Sequence, residues 1–263
     1  MDLSLKNKSV VVTGGNRGIG RGIALAFAGE GANVAIVGRD TDALAKVKAE
    51  IEAKGVKSLA IAADLFTAEG CDRAVNETAD AFGRLDVLVN NASTSVSGGL
   101  ETLSDDQLME RLIGKTLAYM RCSRAALPWL RKAGGGRIIL IGGSAARAAG
   151  KASLPSGLGN SSLTNFAKHL SNDVAPENIT VNVVHPPFTK TDRYPARLEA
   201  RAKQLGVSLE EAEATFVADF PIGRIVEPDD IAPIVTFLSS PHASAITGQA
   251  IGVDGGATPG VFY

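Results

Sequence analysis

TGGNRGIG, residues 13–20, decides the fold, because it joins a short apolar run, residues 10–12, to a helix whose first turn is rich in glycine. A second apolar run, residues 33–37, follows at the spacing of a β-α-β unit. The glycines allow a tight turn and let the backbone approach a phosphate without Cβ atoms in the way. The free N–H groups at the helix start then face the anion, with the positive end of the helix dipole behind them. The stretch therefore predicts a phosphate-binding turn on a parallel sheet.

Length and composition predict one α/β domain, residues 1–263, that binds a small molecule. The chain has 263 residues, of which 45% are hydrophobic and 21% charged, and its net charge is -1. A chain with this charge and no basic block gives no electrostatic footprint for nucleic acid. No apolar signal region or run of membrane-spanning length is present, so we expect a cytoplasmic protein that binds no membrane. Cys71 and Cys122 have no Cys or His at metal-ligand spacing, so no metal site is predicted.

The end of the second apolar run predicts which dinucleotide binds. An NAD-binding protein places Asp or Glu there to accept a hydrogen bond from the ribose 2′-hydroxyl, whereas this chain has Gly38-Arg39. Arg39, together with Arg17 in the glycine stretch, supplies guanidinium groups that suit a 2′-phosphate, because the planar fork donates two parallel hydrogen bonds. NADP is therefore favoured over NAD. The alternative is that both side chains are solvated surface arginines.

Two later strands also end in residues that suit a ligand site. Asp64-Leu65 follows a third strand, residues 58–62, and a fourth strand ends in Asn90-Asn91-Ala92. In open α/β sheets, ligands bind beside the carboxyl ends of the strands. We therefore expect these residues to lie beside the glycine stretch.

The chain resembles the short-chain dehydrogenase/reductase family over nearly its whole length. The resemblance rests first on the glycine stretch, Asp64 and the Asn90-Asn91-Ala92 run. Each motif alone could reflect turn or packing chemistry, but together they are specific for that fold. Six shorter motifs continue the match: Leu127-Pro128, Gly136-Arg137-Ile138-Ile139, Asn182-Val183-Val184, Pro221-Ile222-Gly223-Arg224, Pro228-Asp229-Asp230-Ile231-Ala232 and Val253-Asp254-Gly255-Gly256.

The resemblance implies a single Rossmann-type doubly wound domain, with a seven-stranded parallel sheet between two layers of helices. It implies an oxidoreductase that acts on a small carbonyl or alcohol substrate with a nicotinamide cofactor. It also implies a homotetramer or homodimer that associates through two long helices, here residues 105–132 and 156–174. The cofactor contacts that follow from the glycine stretch, the strand ends and the family motifs are Gly14, Asn16, Arg17, Gly18, Ile19, Gly20, Arg39, Asp64, Leu65, Asn90, Ala92 and Thr189.

Residues 191–221 are longer and more charged than a connection requires. Their repeated Glu, Arg, Ala and Leu predict two short helices, and we interpret the segment as a lid. The alternative is a solvated surface insertion with no role in binding.

The family's usual proton-transfer residues are missing from this chain. Most members use Asn, Ser, Tyr and Lys, with the Lys four residues after the Tyr, because a phenol needs a nearby cation to exchange protons near neutral pH. Tyr119, Tyr194 and Tyr263 are the only tyrosines, and none has a Lys four residues later. Counting from the flanking motifs places Lys115 at the Asn position, Gly143 at the Ser position with Ser144 one step later, Ser156 at the Tyr position and Asn160 at the Lys position.

Three functions remain open at this stage. The first is an atypical oxidoreductase, for which the candidate catalytic residues are Lys115, Ser144, Ser156 and Asn160. The second is a lyase, hydrolase or isomerase that uses the same pocket. The third is a catalytically silent, nucleotide-binding regulator.

Lys115 and Asn160 look like an exchange of the family's amide and amine between two helices. If Lys115 is desolvated, its pKa falls, and it could act as a base, activate Ser156 or hold a substrate carboxylate. The alternative is that Lys115 extends to solvent and that Asn160 caps a frayed helix start.

Three other polar residues near the expected site have structural interpretations. We expect His185 to be a hydrogen-bonding residue at a strand end. Tyr119 is expected to pack at a helix interface, and Tyr194 is expected to lie on the surface of the lid.

Overall fold

A parallel sheet of seven strands lies at the centre of the computed structural model, which describes residues 1–94 and 96–259. The strand order is β3-β2-β1-β4-β5-β6-β7, and each neighbouring pair is parallel. The predicted doubly wound fold is thereby confirmed. The strands are β1 (Ser9–Thr13), β2 (Asn33–Gly38), β3 (Ser58–Ala62), β4 (Val87–Asn90), β5 (Gly136–Ile141), β6 (Ile179–His185) and β7 (Ala250–Gly252).

Helices connect the strands and cover both faces of the sheet. No helix in the part of the chain that the structure describes is long and apolar enough to cross a membrane. The α-helices are α1 (Gly18–Gly29), α2 (Thr41–Glu52), α3 (Ala68–Phe82), α4 (Asp105–Arg111), α5 (Ala118–Lys132), α6 (Leu154–Val174), α7 (Tyr194–Leu205), α8 (Leu209–Val217) and α9 (Pro228–Leu238).

The sheet is buried on both faces because alternate side chains of each strand enter different cores. Val10 of β1 packs in one core with Ile231 of α9. Its neighbour Val11 packs in the other core with Ala126 of α5 and Leu163 of α6. A strand that is covered on both sides is apolar along its whole length, which is why the strands appear in the sequence as continuous apolar runs.

The strand order reverses at β1, which pairs with β2 on one side and with β4 on the other. At such a point the two connections leave in opposite directions, and a crevice forms beside the carboxyl ends of the strands. The glycine stretch leaves β1 at this crevice. The fold therefore places residues 14–20 where a dinucleotide binds in this class of sheet.

The first of the two predicted long helices is not one regular α-helix. A π-helical segment, Leu112–Leu117, joins α4 to α5, which corrects the expectation of a regular helix over residues 105–132. A Cβ at Gly114 would lie 2.7 Å from Phe66 Cζ, so the backbone is in close contact with a neighbouring segment at the wider turn. Such turns are rare and often occur at functional sites. Lys115 lies within this segment.

The second long helix, α6, begins at Leu154, close to its predicted start at residue 156. Residues 191–221 contain α7 and α8, which pack against each other, so two short helices lie where they were predicted. Tyr263 lies outside the described residues.

Candidate functional site

A cavity of about 500 Å³ opens at the carboxyl edge of the sheet, between the glycine stretch and the first turn of α7. All but one of the predicted cofactor contacts line it. These are Gly14, Asn16, Arg17, Gly18, Ile19, Gly20, Arg39, Asp64, Leu65, Ala92 and Thr189.

Glycine is required at two positions of the cradle that residues 14–20 form. Gly14 has φ +64°, and a Cβ there would lie 2.9 Å from Ala92 Cα. A Cβ at Gly20 would lie 2.2 Å from the carbonyl oxygen of Gly14 and 2.4 Å from Asn91 Nδ2. The closest of these contacts are with backbone, so a side-chain rotation does not relieve them. The bare backbone and the N–H groups at the start of α1 fit the pyrophosphate of a dinucleotide.

The two amides at the end of β4 have different surroundings. Asn91 Nδ2 donates to the carbonyl oxygens of Thr13 and Gly14 at 2.9 and 3.1 Å, which fixes the turn after β1 to the end of β4. Asn90 is fully buried and donates through Nδ2 to Ser123 Oγ at 3.3 Å. Asn90 is thus the predicted contact whose side chain does not reach the cavity, and Asn91 lines it instead. Alternation along a strand turns adjacent side chains to opposite sides, and this was the available signal.

The groups beside the end of β2 fit a phosphate better than a ribose hydroxyl. Arg17 and Arg39 are exposed and line the cavity. Asp40, the first carboxylate after β2, accepts a hydrogen bond from Ala43 N at 3.0 Å and caps α2. The carboxylate that could have accepted a hydrogen bond from a ribose hydroxyl therefore caps α2 instead.

The other predicted cofactor contacts lie on both sides of the crevice. Asp64 Oδ1 accepts from Phe66 N at 3.2 Å, which holds the turn after β3 beside Leu65. On the opposite side, Thr189 Oγ1 donates to the carbonyl oxygen of Pro187 at 3.0 Å. Both turns are thus fixed by local hydrogen bonds.

Lys115 is buried, with 3% of its surface exposed. Its Nζ donates to the carbonyl oxygens of Ile141 and Gly142 at 2.9 and 3.3 Å, at the end of β5. Burial lowers the pKa of Lys115 well below its ordinary value, and the charge of Arg111 lowers it further. The alternative in which Lys115 extends to solvent is therefore wrong. Lys115 lies behind the cavity wall, where its neighbour Gly114 is part of the lining.

Asn160 lies inside α6 and packs against the end of β5. It is 3% exposed, and a Cβ at Gly143 would lie 2.7 Å from its Nδ2. The interpretation of Asn160 as a cap of the helix start is therefore wrong, because α6 begins at Leu154. Asn160 Oδ1 has no hydrogen-bond partner among the described residues. Lys115 thus bonds to the backbone at the end of β5, and Asn160 packs beside Gly143, two residues after that strand.

His185 fills the space beside the next glycine. A Cβ at Gly142 would lie 2.4 Å from His185 Nδ1, and that nitrogen accepts a hydrogen bond from Gly143 N at 3.0 Å. Its Nε2 lies 3.1 Å from Thr164 Oγ1. Because Nδ1 accepts, the neutral ring carries its proton on Nε2, which donates to Thr164. His185 is the strand-end hydrogen-bonding residue that the sequence predicted.

We expect His185 to titrate far below the ordinary histidine range. Burial, and then the charges of Arg147 and Lys115, lower its pKa from 6.5 to about 4. Between about pH 6.5 and 4 the unfolded chain binds a proton at His185 and the folded chain does not. The neutral His185 ring therefore contributes about 3 kcal/mol to the free energy of unfolding above about pH 6.5, and this contribution is lost as the pH falls toward 4. An NMR titration of the imidazole protons measures the midpoint. The His185 signal is the one that disappears in His185→Gln and persists in His242→Gln. A titration midpoint near 6.5 for that signal would contradict the expectation.

Ser144 and Ser156 lie near the end of β5 but do not line the cavity. Ser144 begins a short 3₁₀ turn, and its N–H donates to the carbonyl oxygen of Pro186 at 3.0 Å. Ser156 is half-buried in the first turn of α6. The 3₁₀ turn and α6 pack against each other, so the two serines lie on neighbouring elements outside the lining of the cavity.

The two tyrosines in the described part of the chain are buried. Tyr119 OH donates to the carbonyl oxygen of Ile141 at 3.1 Å, and burial raises its pKa, so it packs at a helix interface as expected. Tyr194 OH donates to Glu213 Oε1 at 2.9 Å, and burial followed by this hydrogen bond raises the pKa of Tyr194 to about 12. The ring packs beside Phe188 and Phe216. Tyr194 is 5% exposed, so its assignment to the lid surface is wrong.

Sequence reasoning missed several charged residues near the cavity. Arg111 is 5% exposed and donates through Nη1 to Ser93 Oγ at 2.6 Å and to the carbonyl oxygen of Thr94. It thereby supports two residues of the cavity wall. From the predicted lid, Asp192, Arg193 and Arg197 also line the cavity. The excess of charged residues in 191–221 was the only indication of these residues in the sequence. It did not indicate which side chains face the cavity.

Comparison with known proteins gives similarities over nearly the whole chain. A family model described as enoyl-(acyl carrier protein) reductase matches residues 14–258. The NADPH-dependent reductase BacG of Bacillus subtilis is 31% identical over 255 residues, which cover 96% of this chain and 98% of the relative.

Two solved structures extend the comparison. L-sorbose reductase from Gluconobacter frateurii, in complex with NADPH and L-sorbose, gives a TM-score of 0.94 at 30% identity and covers 99% of this chain and 100% of that one. A short-chain dehydrogenase from Burkholderia cenocepacia, in complex with NADP, gives 0.85 at 34% identity and covers 97% and 99%.

Proposed function

Because this chain belongs to the short-chain dehydrogenase/reductase family, we propose that it binds NADP(H) and acts as an oxidoreductase on a small carbonyl or alcohol. The observation that carries the proposal is the cavity that the glycine cradle, which includes Arg17, lines together with Arg39. Relatives described as NADPH-dependent, or solved with NADP(H), support the same cofactor. Relatives described as reductases favour redox chemistry over a lyase, hydrolase, isomerase or silent regulator.

We assign residues 1–263 to one domain and residues 191–221 to a lid within it. The glycine stretch and Asn91 would hold the pyrophosphate side of the cofactor, and the turn containing Thr189 the nicotinamide side. When bound, NADPH supplies a hydride to the carbonyl carbon of the substrate. The protein must then supply one proton to the carbonyl oxygen, which becomes the hydroxyl of the product.

We propose that Lys115 holds this proton, in place of the family's Tyr-Lys pair. Tyr119 OH is bound to Ile141 O and has a raised pKa, whereas His185 is neutral with both nitrogens engaged. Lys115 is a buried amine beside them whose pKa burial lowers well below its ordinary value, as proton exchange nearer neutral pH requires. In this proposal Asn160, Ser144 and Ser156 orient the substrate oxygen and pass the proton from Lys115.

Lys115→Met is expected to lower kcat by about 10²-fold or more, because it removes the group that holds the proton. NADPH consumption, followed at the nicotinamide absorbance band with a panel of aldehydes and ketones, first identifies a substrate. The pH profile of kcat should then lose the limb that reports the ionisation of Lys115. Lys132→Met is the matched control, since Lys132 lies at the surface end of α5 over the ring of Trp129.

Simple ketones should be reduced slowly, because a serine at position 156 lacks the acidity of a phenol. An unchanged kcat in Lys115→Met would overturn the role of Lys115. Fast reduction of simple ketones that Ser156→Ala abolishes and Lys115→Met leaves unchanged would show instead that Ser156 performs the proton transfer without Lys115. If wild-type protein binds neither NADPH nor NADP, the proposed function itself is wrong.

We also propose that the chain forms a homodimer or homotetramer through α4, α5 and α6. Met109 of α4 and Leu158 of α6 support this, because each is a large apolar side chain that is about half exposed. Apolar side chains at helix surfaces are typical of subunit contacts. Light scattering gives the mass directly.

A further inference from the structure

The segment that leads into α7 forms one wall of the cavity, opposite the glycine cradle. Asp192, Arg193 and Arg197 all line the cavity. Thr191 lies close to the cradle: a Cβ built at Gly18 would be 3.3 Å from Thr191 Cγ2. The two walls of the cavity therefore meet at the start of α1.

Asp192 contacts the cradle itself. Its Oδ2 accepts a hydrogen bond from Gly18 N at 3.2 Å. This N–H belongs to the first residue of α1, where a glycine-rich turn presents donors to a phosphate. One N–H makes one strong hydrogen bond, so Asp192 and a phosphate oxygen compete for it.

Three guanidinium groups lie near this contact, and none pairs with a carboxylate of the described residues. None of the ion pairs among residues 1–94 and 96–259 includes Arg17, Arg193 or Arg197. Burial lowers the pKa of Arg193, and the like charges of Arg17 and Arg197 lower it further, so the three cations repel one another. A ligand with more than one negative charge would relieve this repulsion.

Arg197 is held against the cavity wall. Its guanidinium carbon lies 5.4 Å from the centroid of the Phe188 ring, a cation–π arrangement. Arg201, one turn further along α7, has its Nε 3.4 Å from Thr215 Oγ1 and does not line the cavity. The difference between these two arginines gives a comparison within one helix.

We propose that Arg193 and Arg197 bind the pyrophosphate of NADP(H), and that Asp192 is the anion that this pyrophosphate displaces from Gly18. The inference rests on the proposed function, since it assigns further contacts to the same cofactor. It predicts a division of labour among the arginines. Arg17 and Arg39 distinguish NADPH from NADH through the 2′-phosphate, whereas Arg193 and Arg197 act on the pyrophosphate that both share.

Dissociation constants for NADPH and NADH, measured by fluorescence titration, test this division without requiring turnover. Arg193→Gln and Arg197→Gln should each weaken both cofactors by about 10-fold and leave the NADPH-to-NADH ratio unchanged. Asp192→Asn should tighten both cofactors by about 3-fold or more, because a neutral amide oxygen competes less well for the Gly18 N–H. Arg201→Gln is the matched control and should leave both constants within 2-fold of wild type.

The outcomes separate this inference from the proposed function. If wild-type protein binds no nicotinamide dinucleotide, the proposed function fails, and the inference fails with it. If wild type binds NADPH but the Arg193 and Arg197 variants behave like Arg201→Gln, only the inference is overturned. A loss confined to NADPH would also overturn it, since the arginines would then contact the 2′-phosphate. Weaker binding in Asp192→Asn would show that Asp192 supports the cofactor and does not compete with it.

Discussion

Gly20→Ala is expected to weaken NADPH binding by at least 100-fold and to lower the free energy of unfolding by about 3 kcal/mol. The added Cβ would lie 2.2 Å from the carbonyl oxygen of Gly14, a distance at which one of the two backbone segments must move. Any such movement displaces the turn after β1 and the hydrogen bonds that Asn91 makes to it. Titration with NADPH and thermal unfolding of the same preparation measure both effects.

Gly29→Ala is the matched control on the same helix. No atom lies within 4 Å of a Cβ at Gly29, which is exposed near the end of α1. Alanine favours the helical backbone over glycine by up to about 1 kcal/mol, so this variant should be as stable as wild type or slightly more stable. Equal NADPH affinity in Gly20→Ala and Gly29→Ala would contradict the placement of the pyrophosphate in the cradle.

Replacing both Arg17 and Arg39 by Gln is expected to remove a preference for NADPH over NADH of about 100-fold. A charge-assisted hydrogen bond is worth about 1.5–3 kcal/mol, and exposure to solvent reduces this to about 1.4 kcal/mol, or 10-fold, for each arginine. The loss should appear in the affinity for NADPH, while the affinity for NADH should change little. Calorimetric titration with both cofactors gives the ratio.

Arg21→Gln is the control for this pair, because Arg21 is also exposed at the start of α1 but pairs with Glu50 at 2.7 Å. It should leave the ratio unchanged. Equal affinities of the wild-type protein for NADPH and NADH would contradict the cofactor preference. If the double variant still binds NADPH about 100-fold more tightly than NADH, other groups select NADPH.

The sheet and the cradle could be predicted from the sequence because local chemistry determines both. Strands covered on both faces must be apolar throughout, so β1 and β2 stand out as uninterrupted runs. A turn in which a Cβ would lie 2.9 Å from Ala92 Cα accepts only glycine, and the sequence has Gly14 at that position. The placement of Arg39 follows from its position directly after β2.

Other features depend on contacts between distant segments, and the sequence carried little trace of them. The π-helical turn around Lys115 occurs where Gly114 meets Phe66, from the turn after β3. Helical periodicity alone continues smoothly through it. The burial of Tyr194 depends on Phe188 and Phe216, which reach it from another turn and another helix.

The direction of a long side chain is equally hard to predict. Lys115 could reach solvent or the end of β5, and the choice depends on two backbone carbonyl oxygens that accept from its Nζ. Arg193 and Arg197 line the cavity, whereas Arg201 of the same charged stretch lies against Thr215 of α8. The contacts of residues 191–192 with Gly18, and of α7 with α8, determine which of these side chains reach the cavity.

Gly142 and Gly143 constrain how this region can change during evolution. A serine at position 143 would place its Cβ 2.7 Å from Asn160 Nδ2, so the Asn160 side chain must move or be replaced. Any side chain at position 142 would meet the ring of His185 at 2.4 Å. A substitution at either glycine is therefore coupled to its neighbour, position 142 to His185 and position 143 to Asn160. A lineage that carries this arrangement would reach a serine at 143 together with a change in the placement or identity of residue 160.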